Sequence, residues 1–307
     1  MREPRFLILG ATGGPGLGTF LNLARRGADV VGIGRSPDRV RALNNLVDAH
    51  TLRGRVVEMN LVNPTDDLAI LVQGATVLIS ASHPHFATHC LKLAHRFERV
   101  VAVSSIRVFS KYPHPLIPLI AELRDVIEGG PVPGVLLLTT MQTGGVGYNN
   151  LERLAKFAQL SPVVPLPKSA ASALVQPVHT DDVVYCMLRS LTALPDERVL
   201  ALGGPEQMSY SQLIKRVASA VGRRVWTPSV PDRLVLGAAA VLNRVPGAPR
   251  VSSQELQRAA EDKVCDPSTM ARHFGRQPRA IRYVEPERDY AAALDKAFAN
   301  LGSEGME

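Results

Sequence analysis

Over the first 145 residues the apolar positions alternate between two rhythms. Short β-branched or leucine-rich runs at Arg5–Leu9, Asp29–Ile33, Arg55–Met59, Thr76–Ser80, Arg99–Ser104 and Val135–Thr139 predict six strands. The stretches between them carry apolar residues three and four apart, the spacing of one helical face. In Gly16–Arg26, Leu17, Phe20, Leu21 and Ala24 share that face, and Gly27 stands where a helix ends. Pro37–Asp48, Pro64–Val72, Pro84–Arg96 and Pro115–Glu128 are the other predicted helices. Each opens on a proline, tolerated in a first turn because the N–H it lacks has no partner there. Strands alternating with helices imply parallel neighbours joined by crossovers, hence an α/β, doubly wound parallel sheet.

From residue 146 the pattern loosens. Helical spacing recurs at Asn150–Gln159, Asp181–Thr192, Ser209–Val221, Arg233–Asn243, Ser253–Glu261 and Glu287–Leu301, linked by proline-rich turns. Val163–Pro167 and Ala173–Val178 are expected to return to the core sheet. Residues 1–145 thus read as the sheet domain, and 146–307 as a smaller mixed C-terminal lobe partly interleaved with it.

Composition narrows the function classes. The 307 residues are 46% hydrophobic and 21% charged, which excludes a mainly disordered chain. The net charge of +7 favours anionic ligands, yet its arginines are scattered, with no run longer than Arg25-Arg26 or Arg223-Arg224. A nucleic-acid partner would call for a denser basic stripe. Cys90, Cys186 and Cys265 are distant from one another and odd in number, so a reducing, cytoplasmic setting without structural disulfides is expected. The N-terminus enters a strand too early for a signal peptide, and no apolar run approaches the roughly 20 residues of a membrane span.

The first strand leads into Gly10-Ala11-Thr12-Gly13-Gly14-Pro15-Gly16, and a helix follows at once. Such a turn brings backbone N–H groups and a helix N-terminus to a pyrophosphate, and side chains at the glycines would block its approach. Dinucleotide binding is therefore expected. The second strand ends Gly34-Arg35-Ser36, with no acid for a free ribose 2′-hydroxyl. Arg35 and Ser36 suit a 2′-phosphate instead, so NADP(H) is favoured over NAD(H).

These residues resemble the extended and atypical short-chain dehydrogenase/reductases, the NAD-dependent epimerase/dehydratase and NmrA-like group. The resemblance implies a Rossmann-type fold and extends over nearly the whole chain. By it, Asn60 and Leu61 face the adenine, Ala81 and Ser82 after the fourth strand line the nicotinamide ribose, and Ser105 after the fifth is the active-site hydroxyl. Gln176-Pro-Val-His-Thr-Asp-Asp182 is similar to the family's segment before a late helix. Leu202-Gly-Gly-Pro205 and Phe274-Gly-Arg-Gln-Pro278 resemble members related to a nucleotide-binding accessory subunit of respiratory complex I.

Catalysis in that family rests on Tyr-x-x-x-Lys, whose tyrosine exchanges a proton with the substrate oxygen. None of the six tyrosines here has a lysine four residues on. Three readings stay open. Lys111, Tyr112 or His114 supplies a rearranged proton donor; or the chain binds the cofactor without turnover, as a regulatory module with a protein partner; or hydride passes to a small molecule that needs little acid assistance.

Other constellations carry less. His83, His85, His89 and Cys90 have a spacing zinc can use, but His83 beside the nicotinamide is the preferred reading, with no metal expected. Thr180 or Asp181 reads as a helix N-cap rather than half of an acid/base pair. No G-x-S-x-G elbow surrounds Ser104-Ser105, which excludes an esterase-type nucleophile. The apolar segment Val230–Pro246 is expected to pack on the sheet domain, with peripheral membrane contact as the minor alternative.

Overall fold

The structure, a computed structural model, describes residues 3–93, 97–146, 150–234, 257–281, 283 and 289–301. Six strands, β1 Arg5–Leu9, β2 Asp29–Gly34, β3 Arg55–Glu58, β4 Val77–Ser80, β5 Arg99–Ser105 and β6 Gly134–Thr139, alternate with five helices. These are α1 Gly14–Arg25, α2 Pro37–Ala49, α3 Asp67–Gly74, α4 Pro84–Leu93 and α5 Leu116–Gly129. With the strand Val199–Leu202 they form one sheet, ordered Val199–Leu202, β6, β5, β4, β1, β2, β3, parallel at every pairing. The strand order reverses between β1 and β4, the place where doubly wound sheets open a crevice for ligands.

Both faces of the sheet are covered, which explains why its strands are apolar throughout rather than alternating. Ile8 of β1 points into a core shared with α1, α2 and the helix Thr180–Thr192. Leu7 and Leu9 point the other way, into a core built with α3, α4 and α5. The helix Thr180–Thr192 lies directly on α1. A Cβ on Gly18 would come 2.7 Å from Val184 Cγ2, so glycine there permits the close approach. A third, smaller cluster (Leu151, Ala155, Val175, Met208, Leu213 and Val217) belongs to the C-terminal part of the chain.

Several expectations need correction. Neither Val163–Pro167 nor Ala173–Val178 joins the core sheet. Leu166–Pro167 pairs with Ser229–Val230, Leu174–Val175 with Met208–Ser209, and Val178–His179 with Gln142–Thr143. Pro165, Pro167 and Pro177 interrupt these runs and cannot donate to a continuous ladder. The strand that does extend the sheet, Val199–Leu202, is only four residues long and was not singled out. The helix of 180–192 is capped by His179, whose Nδ1 accepts from the Asp181 N–H at 3.2 Å. Thr180 instead turns its hydroxyl inward and donates to the Gly144 carbonyl at 2.7 Å. The third helix starts at Asp67 rather than Pro64. The helix expected over Arg233–Asn243 lies almost wholly outside the described residues, as does the first part of Ser253–Glu261; residues 257–259 form a helical turn.

Asp182 is completely buried and anchors the C-terminal part of the chain. Its carboxylate accepts from the Arg279 backbone N–H at 2.8 Å and from Arg279 Nε at 3.0 Å, with Arg276 Nε at 3.7 Å. Cys90, Cys186 and Cys265 are free thiols, and burial pushes Cys90 up to about 12. Among the described residues, no helix is long and apolar enough to cross a membrane.

Candidate functional site

The glycine-rich turn sits at the carboxyl end of β1, over the point where the strand order reverses. Gly10 has φ +83°, open to glycine but costly for other residues, and its Cβ would press on the Ala81 carbonyl at 3.0 Å. The Gly10 and Ala11 N–H groups both donate to the Ile33 carbonyl at 3.0 Å, tying the turn to β2. Thr12 is buried against Gly34, a position where any Cβ would collide with the threonine methyl. Gly16 is fixed by packing, since a Cβ there would overlap the Gly10 carbonyl oxygen.

Gly13 differs from these. Its φ of −173° is ordinary extended backbone, and a Cβ would meet only Arg39 Nη1 and the Val146 carbonyl, each 3.6 Å away. An open notch therefore lies before this glycine, with a guanidinium on its rim. Arg39 stacks over the Tyr290 ring at 5.0 Å, and Tyr290 donates its hydroxyl to the Thr12 carbonyl at 3.0 Å. Burial pushes the Tyr290 phenol up to about 12, against the pull of Arg39, so it stays a donor. Among the described residues no carboxylate lies within 4 Å of Arg39 or of the exposed Arg35.

The first turn of α1 offers fewer backbone donors than the motif suggests. The Gly14 N–H donates to the Val146 carbonyl at 2.8 Å, and Pro15 has none. The cation nearest the turn is Arg39. Arg39 is the residue that sequence reading missed. It stands four positions after Arg35, and only its helix α2 turns it back over the glycines.

The other expected cofactor residues follow around the crevice. Ser36 is half-buried at the tip of β2, where α2 begins. Asn60, exposed, accepts from the Val62 N–H at 3.1 Å, and Leu61 is half-buried beside it. Ala81 donates its N–H to the Leu9 carbonyl at 3.0 Å, and the Ser82 and Ser80 hydroxyls lie 3.3 Å apart. His83 is exposed; partial burial and neighbouring His85 hold its imidazole below the usual histidine value. His85 and His89 stack at 6.4 Å, and among the described residues no three His, Cys, Asp or Glu side chains converge as a metal ligand set.

At the end of β5, Ser105 Oγ accepts from the Arg107 backbone N–H at 3.2 Å. Among the described residues the hydroxyl proton of Ser105 has no acceptor. Lys111 is exposed and donates its backbone N–H to Glu261 Oε1 at 2.6 Å; Tyr112 donates its own to Ser110 Oγ at 3.2 Å. Glu261 also takes the Ser110 hydroxyl, so residues near 261 clamp this loop. His114 faces two donors, the Leu116 N–H at 3.1 Å and Arg107 Nη1 at 3.2 Å. Burial, Arg107 and Arg258 hold its imidazole below the ordinary value. Tyr185, the one tyrosine with a basic residue four positions on, lies elsewhere, donating to the Phe274 carbonyl at 3.1 Å.

No family model and no curated protein matches the sequence. Solved structures do match. An NADPH-dependent quinone oxidoreductase from Escherichia coli aligns over 95% of this chain and 99% of its own, with 17% identity and a TM-score of 0.65. A UDP-glucose-4-epimerase from Stenotrophomonas maltophila, solved with NAD and formylated UDP-arabinopyranose, aligns over 98% and 99%, with 16% identity and a TM-score of 0.62. The chain shares the fold of these enzymes. A functionally unknown conserved protein from Silicibacter pomeroyi has it too, at 14% identity and a TM-score of 0.63 over 97% of this chain and 99% of that one. These alignments span the C-terminal part of the chain as well as the parallel sheet.

Proposed function

We propose that the protein is an NAD(P)-dependent oxidoreductase or epimerase-type enzyme that prefers NADP(H) and acts on a carbonyl or alcohol, or on a sugar nucleotide. The observation that carries this is the extended Gly13 at the switch point of the sheet, with Arg39 Nη1 3.6 Å from where its Cβ would stand, Arg35 just past the end of β2 and Ser105 at the end of β5. The bound cofactor would supply or accept hydride. Arg39 and the remaining α1 donors would hold its pyrophosphate, and Arg35 with Ser36 its 2′-phosphate. Ser105 would donate a hydrogen bond to the substrate oxygen and orient the reacting carbon.

A titration of NADPH and NADH, followed by nucleotide fluorescence, tests the cofactor assignment. Arg35→Glu should weaken NADPH by roughly 10- to 100-fold and NADH far less, the scale of one charge-assisted contact replaced by repulsion. Arg39→Gln should weaken both nucleotides by about tenfold, because the pyrophosphate is common to them. Equal losses in Arg35→Glu would remove that residue from the 2′-phosphate site. Wild-type protein that binds neither nucleotide would end the proposal.

The second reading, a nucleotide-binding regulator of a protein partner, is favoured by one observation: no tyrosine is followed by a lysine one helical turn on. Single-turnover oxidation of bound NADPH across a panel of aldehydes, ketones and quinones separates the two. Turnover that falls about 100-fold in Ser105→Ala supports the enzyme; no oxidation of tightly bound NADPH by any of them supports the regulator.

A further inference from the structure

Beside Ser105 three cationic side chains gather, with the carboxylates of Glu261 and Asp262 close by. Arg107 leaves the end of β5 with its backbone N–H on Ser105 Oγ, and its guanidinium reaches His114 Nε2 at 3.2 Å. Arg258 comes from the helical turn of 257–259 to the same loop, donating through Nη1 to the Pro113 carbonyl at 3.2 Å. Lys263 donates from Nζ to the Arg258 carbonyl at 2.7 Å and is held along its backbone by the Leu174 carbonyl, also at 2.7 Å.

Burial and Arg258 lower Arg107, while burial lowers Lys263, with Arg107 and Arg258 adding to the shift and Glu261 and Asp262 opposing it. The two nearby carboxylates are hydrogen-bonded to neutral donors, and the three cations outnumber them by one. Glu261 holds the Ser110 hydroxyl and the Lys111 N–H, and Asp262 accepts from the Leu174 N–H at 2.7 Å. Among the described residues no carboxylate lies within 4 Å of the charged nitrogens of Arg107, Arg258 or Lys263. Like charges drawn together and partly desolvated are unfavourable until an anion joins them.

We infer that Arg107, Arg258 and Lys263 form an oxyanion subsite, which takes a carboxylate or phosphate carried by the substrate a few bonds from its reacting oxygen. The inference rests on the reading above in placing that oxygen at Ser105. The substrate class becomes small keto or hydroxy compounds bearing an acidic group. A guanidinium fork suits a planar carboxylate or a phosphate edge, and the lysine adds a mobile point charge.

The test needs no cofactor and no turnover. Full-length protein is acetylated with an uncharged N-hydroxysuccinimide ester at pH 7.5, and each lysine is followed by peptide mass spectrometry. Malonate and inorganic phosphate serve as probes, against sodium chloride at equal ionic strength. Lys263 should be protected at least fivefold by one or both anions, while exposed Lys215 reacts at an unchanged rate. Malonate alone identifies a carboxylate site, and phosphate alone a phosphate site. Protection should persist in Arg39→Gln, where the nucleotide site is weakened, and disappear in Arg107→Gln. Equal labelling of Lys263 in all three salts overturns the inference, as does protection lost in Arg39→Gln but kept in Arg107→Gln. Because the wild-type comparison stands without any variant, a misfolded Arg107→Gln does not decide the matter. Failure to bind NADPH would sink the functional proposal yet leave this readout intact.

Discussion

Gly13→Val is expected to abolish measurable binding of both NADPH and NADH while leaving the protein folded. Gly16→Ala, three residues on, is expected to cost the fold itself. At Gly13 the backbone is extended and the nearest atoms to a Cβ are at ordinary contact distance, so a β-carbon is accommodated without backbone strain. The position caps α1, where valine is a poor choice, and the stability cost should be about 1 kcal/mol. What valine fills is the notch through which a pyrophosphate would reach the turn. Loss of two charge-assisted contacts corresponds to an affinity drop of at least roughly 100-fold. At Gly16 a Cβ meets the Gly10 carbonyl, and backbone cannot step aside as a flexible side chain would. Thermal melts and nucleotide titrations on the two variants check this pair. A Gly13→Val protein that binds NADPH like wild type would show that the phosphates lie elsewhere.

Asp182→Ala should lower stability by about 3–5 kcal/mol, the cost of removing a fully buried carboxylate from the donors and cations arranged around it, even with the Arg279 contact to Asp181 at 3.3 Å retained. The carboxylate is fully buried, and Arg279 approaches it through both backbone N–H and guanidinium. Asp182→Asn keeps an acceptor for the Arg279 N–H and should lose less. Denaturant unfolding measures both. A change under 1 kcal/mol in Asp182→Ala would mean that the chain around 276–279 is held by other contacts. The expected loss matters for function, because residues 257–263 come from the same part of the chain and reach the loop beside Ser105.

Much of this was legible beforehand. The six strands of the sheet domain appear within a residue or two of their predicted ends, because a parallel sheet covered on both faces writes itself as short apolar runs. The glycine turn was legible because backbone crowding at Gly10 and Gly16 demands glycine at fixed spacing. Val199–Leu202 was not, since a four-residue edge strand carries too little pattern to stand out. The cap at His179 escaped because Thr180, a good capping residue by type, is drawn inward by the carbonyls of residues 143 and 144.

By itself the sequence determined the α/β architecture, the glycine turn, Arg35 at the tip of β2 and the missing Tyr-x-x-x-Lys pair. Local spacing and composition suffice for features that depend on neighbours along the chain. Only the tertiary structure decided that Arg39 overhangs Gly13, that the Gly14 N–H is already engaged by Val146, and that burial beside Arg107 and Arg258 lowers the His114 imidazole. It alone brought Arg258 and Lys263 to Arg107. Those facts rest on residues roughly a hundred or more positions apart, or on a helix turning a side chain back over a loop. Charge and hydrogen bonding act through space, and no one-dimensional pattern records which groups the fold will set within a few ångströms of one another.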